Sequence, residues 1–236
     1  MRRLSLSAIA FGLGGLALGS PTGAMVSPGS LTPGVPRSGL TAGPALLGTL
    51  AVPIRADRFA ESLQRAHQDA SGSPLLQRLI APVRTLSRAR QLAYVQGAVS
   101  SSIRWASDAT QWGQHDYWAS AGETLARGSG DMEDRAIVKM QALRALGFDA
   151  NGLFLTLARD RVGGPETVLT VRLGEHYYIL DDTGGTPFPV EQRHYEFQPI
   201  ISFGWNGAWL HTRAPLPKAA TMSAVATASA QAQARR

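Results

Sequence analysis

Hydrophobic positions recur at different spacings in the two halves of this chain. In the first half they return every three or four residues: Phe59, Leu63 and Ala66 share one face of "DRFAESLQRAHQDA", as do Leu92, Val95, Val99 and Ile103 in "TLSRARQLAYVQGAVSSSIRWA". Both segments are predicted helices, and Pro82 marks a break before the second. An aromatic, loop-like stretch, "SDATQWGQHDYWASAGETLARGSG", then leads to a third predicted helix from about Asp131 to Leu146. Its buried stripe is Ala136, Ile137, Met140 and Leu143, and Gly147 is its stop.

Beyond Gly147 the period shortens. "LFLTLAR", "ETVLTVRL" and "HYYILD" are short β-rich runs, and Leu173-Gly174-Glu175-His176 reads as a tight hairpin. "PIISFGWN" and "AWLHTR" supply a last pair of strands. Helices first and strands afterwards predict an α+β fold, with N-terminal helices packed on an antiparallel sheet.

The ends have another character. Residues 1–24 place Arg2 and Arg3 before an apolar run from Leu4 to Leu18 and a small-residue stretch ending at Ala24, the pattern of a cleaved Sec-type signal peptide. The run is too short and glycine-diluted for a membrane anchor, which takes about 20 apolar residues, and the residues after the arginine pair do not complete a twin-arginine signal. The expectation is a periplasmic or secreted protein with no transmembrane span in the mature chain. Residues 25–55 are rich in Pro, Gly and Ser and read as a linker. The folded domain is expected at 56–213, followed by a disordered Ala/Ser/Gln-rich tail at 214–236.

Charge and composition narrow the function. A formal charge of +6 and a pI near 10.3 come from arginines scattered among acids, without a basic run or a stacking aromatic cluster, so nucleic acid is not an expected partner. The chain has no cysteine, so neither a disulfide nor a thiol nucleophile exists.

That absence bears directly on "GSGDMEDRAIVKMQALRALGFD". A helix start offers unbonded N–H groups and the positive end of the macrodipole, which together depress the pKa of a cysteine placed there. Such a thiolate works with an imidazole from a neighbouring strand and a carboxylate that orients the ring.

Six stretches, taken in order and spacing, carry a resemblance: "YVQGAVSSSIRW", "DATQWGQHDYWASAGETLARGSGD", "EDRAIVKMQALRALGF", "ETVLTVRL", "YYILDD" and "QPIISFGWNGAWLH". Over residues 92–211 the sequence resembles the bacterial transglutaminase-like cysteine peptidases, a periplasmic family of papain-like fold that includes a protease cleaving a biofilm adhesin. The resemblance implies a papain-like, transglutaminase-like domain. It puts the nucleophilic cysteine at Met132, the histidine at Glu166 and the orienting aspartate at Asp181, so two of three positions are substituted. A thioether has no proton to release, and attack through its lone pair would give a sulfonium. The implied function is a catalytically degenerate family member, a pseudoenzyme that keeps a cleft for an exported or membrane-associated protein segment. The alternative is a hydrolase or acyl transferase with a non-cysteine nucleophile, for which Ser129 and Thr167 are the candidates. His67, His115, His176, His194 and His211 each read as surface or structural residues.

The family also binds calcium beside the nucleophile, and Asp131, Glu133 and Asp134 stand at the matching turn. The same residues read equally as Asp131 capping the helix, Asp134 completing a capping box and Glu133 complementing the dipole. Glu166 opposite Asp181 would bring like charges together, to be relieved by a proton or a cation. Trp112, Tyr117, Trp118, Trp205 and Trp209 are expected to pack the loop and the terminal hairpin.

Overall fold

The computed structural model of the protein describes residues 43–160, 162–189 and 197–213. The expected signal peptide, most of the expected linker and the expected tail lie outside the described residues. In chain order the elements are β1 (Thr49–Ile54), α1 (Ala60–Ala66), α2 (Pro74–Ile80), α3 (Arg88–Ser102), β2 (Arg104–Trp105), α4 (Asp108–Trp112) and α5 (Ala121–Arg127). There follow β3 (Ser129–Gly130), α6 (Met132–Ala145), β4 (Leu153–Asp160), β5 (Pro165–Leu173), β6 (His176–Leu180), β7 (Phe188–Pro189), β8 (Phe197–Gly204) and β9 (Gly207–Arg213).

Among the described residues, seven strands form one antiparallel sheet in the order β1-β9-β8-β4-β5-β6-β7, with the helices on one face. This is the α+β arrangement that the change of period predicts. Gly174 adopts φ +62 in the β5–β6 turn and Leu173 pairs with His176, so the expected tight hairpin forms. The main core joins Leu92, Val95 and Val99 of α3 and Ile137, Met140 and Leu143 of α6 to Leu155, Leu169 and Val171 of the sheet.

Several elements depart from expectation. β1 lies inside the segment read as a linker, and it pairs with β9 from Thr49↔Arg213 to Ile54↔Ala208. The aromatic stretch contains α4 and α5. The α5 start is fixed by a capping box: Ser120 Oγ accepts from the Glu123 N–H and Glu123 Oε2 accepts from the Ser120 N–H. α2 starts at Ser73-Pro74, a cap followed by a proline at the first helical position. α6 buries far more than a stripe, since Arg135, Lys139 and Gln141 are buried as well. Each satisfies a distant carbonyl: Arg135 that of Ile103, Lys139 that of Asp181, and Gln141 that of Ala66. No helix among the described residues is long and apolar enough to cross a membrane.

Candidate functional site

The chain enters α6 from β3, which pairs in parallel with β2 through Arg104↔Ser129 and Trp105↔Gly130. Gly130 admits no side chain, because a Cβ there would stand 2.6 Å from Asp134 Cβ and 2.8 Å from Asp134 Oδ2. Asp131 caps the helix, its Oδ1 accepting the Asp134 N–H at 3.4 Å. The first helical residue is then the half-buried Met132. The reciprocal half of a capping box is absent here: Asp134 instead accepts the Ala119 N–H at 2.8 Å.

The first turn of α6 meets the start of β5. Thr167 donates its hydroxyl to Glu133 Oε1 at 2.6 Å, and this bond joins the chain neighbours of Met132 and Glu166. Beside this bond lies a small cavity of about 40 Å³, bordered by Phe59, Asp116, Trp118, Glu133, Glu166 and Thr167. Phe59 and Trp118 are also core contacts, each touching the Phe203 ring.

Asp181 is buried immediately after β6. Its Oδ1 accepts from Gln96 Nε2 at 2.8 Å and from the Thr183 hydroxyl and N–H at 2.7 and 3.0 Å. Its backbone carbonyl accepts from Lys139 Nζ, and burial lowers that amine to about 8. The β5–β6 pairing ends at Leu169↔Leu180. Asp181 is one residue past that pair and Glu166 three residues before Leu169, so the two lie on a diagonal instead of directly opposite one another. Met132 and Glu166 are thus the chain neighbours of the Glu133–Thr167 bond, and the Asp181 carboxylate is held by Gln96 of α3 and by Thr183.

The acidic residues regroup in a way the sequence reading missed. Asp108, the first residue of α4, joins Asp131 and Asp134, and one carboxylate oxygen of each lies within 4.8 Å of the others. Glu133 of the expected set lies outside this group: its Oε1 accepts from Thr167, and its charge acts on Asp131. Asp108 and Asp134 are 5% and 0% exposed, and Asp108 Oδ1 and Asp134 Oδ2 have no hydrogen-bond partner. Burial and mutual repulsion raise Asp131 to about 9, and burial with the Asp131 charge raises Asp134 to about 8. Burial also raises Glu133, to about 7, and Asp108. Three hard oxygen donors, two with an unpaired oxygen inside the protein, fit a divalent cation such as calcium.

The alternative nucleophiles are otherwise engaged. Ser129 Oγ donates to Gln111 Oε1 at 2.7 Å, an amide that takes no proton, and the Thr167 hydroxyl, which donates to Glu133, is 3% exposed. His67 stacks on Trp205 at 4.2 Å, and His211 lies between the Thr49 and Ser202 hydroxyls at 2.9 and 2.8 Å. His115 and His176 are exposed, and His194 lies outside the described residues.

A family model described as bacterial transglutaminase-like cysteine proteinase BTLCP matches residues 58–215. Two solved structures of Legionella pneumophila LapG are similar to the chain. The EGTA-treated form is 25% identical over 70% of this chain and 90% of that one, with a TM-score of 0.52. The calcium-bound form is 23% identical over 75% of this chain and 99% of that one, also with a TM-score of 0.52. No curated protein sequence matches.

Proposed function

The chain belongs to the bacterial transglutaminase-like cysteine proteinase family and has no cysteine, so we propose that it is an exported, catalytically degenerate member that binds an extended protein segment and takes calcium. One observation carries this reading: Met132, the position to which the sequence resemblance assigns the family's nucleophile, is the first residue of α6, and Asp131 caps the helix start around it. The N–H groups and the dipole remain, but the atom they would stabilise cannot become an anion.

The surface along α6 and β5 supports the binding role. Its cavity is small, about 40 Å³, so an extended segment would lie across it against the half-buried Phe59 and not inside it. The LapG relative is described in a calcium-bound form, and in this chain Asp108, Asp131 and Asp134 are the residues that would hold the ion. Calcium, when bound, supplies positive charge that offsets three carboxylates close together in the interior. The mature protein is placed in the periplasm or outside the cell on the strength of the Arg2-Arg3 and Leu4 to Leu18 pattern.

Purified protein incubated with extended polypeptides, in calcium and in chelator, is expected to generate no new chain ends and to resist a fluorophosphonate probe. Turnover that survives Met132→Ala but disappears in Ser129→Ala or Thr167→Ala would establish the hydrolase alternative instead. Affinity capture from exported and membrane-associated proteins is expected to recover a partner, and an empty capture in both calcium and chelator counts against binding.

A further inference from the structure

We infer that a stack of four side chains, Arg127, Trp112, Tyr117 and Arg65, positions Asp108 in the carboxylate cluster, so that residues outside the ligand set tune its affinity for calcium. The inference rests on the calcium reading above. Asp131 and Asp134 are placed by the first turn of α6, but Asp108 comes from a separate helix of five residues. A helix that short does not hold itself together.

Its support is visible in the contacts. The Tyr117 N–H donates to Asp108 Oδ2 at 2.5 Å, closing the loop that begins at α4. Two residues on, the Ala119 N–H donates to Asp134 Oδ1 at 2.8 Å. The segment from Tyr117 to Ala119 thus holds one oxygen of each carboxylate, and the other oxygens, Asp108 Oδ1 and Asp134 Oδ2, are the two without a hydrogen-bond partner. The loop is clamped from both sides. Trp112 and Tyr117 lie with ring centroids 4.5 Å apart. The Arg127 guanidinium of α5 sits 3.9 Å from the Trp112 centroid, and that of Arg65 of α1 sits 4.4 Å from the Tyr117 centroid. Arg65 Nε also donates to the Trp118 carbonyl at 2.9 Å. Each cation–π contact prefers the geometry that keeps the loop over the helix start.

Calcium titration of chelator-stripped full-length protein by calorimetry tests this. Trp112→Leu is expected to bind calcium about tenfold more weakly, the loss of roughly one such contact, and Trp112→Phe, which keeps a ring for Arg127, should stay near wild type. Arg127→Gln is expected to bind more weakly as well, although removing a positive charge would by Coulomb attraction alone strengthen cation binding. Arg127 is exposed, so this variant decides the matter if Trp112→Leu does not fold. Trp112→Leu and Arg127→Gln binding as tightly as wild type would overturn the positioning role and leave the calcium site standing. A wild-type protein that shows neither calcium heat nor a calcium-dependent rise in Tm overturns both.

Discussion

A methionine at the first position of a helix leaves the N–H groups and macrodipole in place without an anion for them to stabilise. Met132→Cys puts a thiol back between Asp131 and Glu133, whose negative charge opposes its ionisation. The pH profile of iodoacetamide alkylation should therefore show a lower thiol pKa in calcium than in chelator, and equal values would separate the helix start from the cluster. The carboxylates themselves set a second expectation. Their folded pKa values are raised, to about 9 for Asp131 and about 8 for Asp134, so without calcium their share of stability is full below about pH 4 and is lost as pH rises through 8 to 9. Tm in chelator should fall over that range, and the rise in Tm on adding calcium should grow with pH. Asp131→Asn keeps a good cap and removes the cost of holding a buried carboxyl protonated where the unfolded chain would ionise it. It should raise Tm in chelator by roughly 2–4 °C, the equivalent of about 1 kcal/mol for a domain of this size, and shrink the calcium-induced rise, both readable by thermal melts.

At the level of elements, a line of side chains crosses five adjacent strands. Thr49 donates its hydroxyl to the Leu46 carbonyl, so it accepts from His211 Nδ1, and His211 Nε2 accepts from Ser202. Ser202 then accepts from Thr156, and Thr156 from Thr170. The chain has one direction and needs a neutral imidazole, which burial secures by lowering His211 to about 4. That contribution is present above pH 6.5 and lost as pH falls towards 4. His211→Leu should cost about 1–3 kcal/mol at pH 7, by stranding two hydroxyls, and should lose part of the wild-type decline in acid, as urea denaturation at several pH values will report. The sequence makes α3, α6 and the hairpins legible because their periods are local. It hides what depends on distant partners. β1 reads as linker because Pro53 and its surroundings resemble the Pro/Gly-rich run before it, while its partner β9 lies at the far end of the domain. The buried Arg135 and Lys139 look like surface charges until Ile103 and Asp181 come into contact with them. The α2 and α5 starts did carry local signals, Ser73-Pro74 and Ser120 with Glu123. Asp108 carried none, because only the fold brings α4 to the start of α6.

Across the whole molecule, a chain of formal charge +6 concentrates buried acid at one helix start. Excess positive charge elsewhere repels a divalent ion only weakly at physiological salt, where screening acts over about 8 Å. Calcium affinity should therefore change little between moderate and high ionic strength; a steep salt dependence in the same calorimetric titration would place the ion on the surface instead. Asp131 and Asp134 were legible in the sequence as acids of one turn, and Asp108 was not, because it comes from α4, which only the fold brings to the start of α6. One further feature governs how the domain answers a load. Thr49 and Arg213 face each other across β1 and β9, so tension applied through the two flanking segments would peel that strand pair open one hydrogen bond at a time instead of shearing it whole. Pulled by its ends, the fold is a zipper that yields at low force from the sheet edge inward, and Phe59, five residues past β1, is drawn out of the cavity beside β5 as soon as the strand has peeled away.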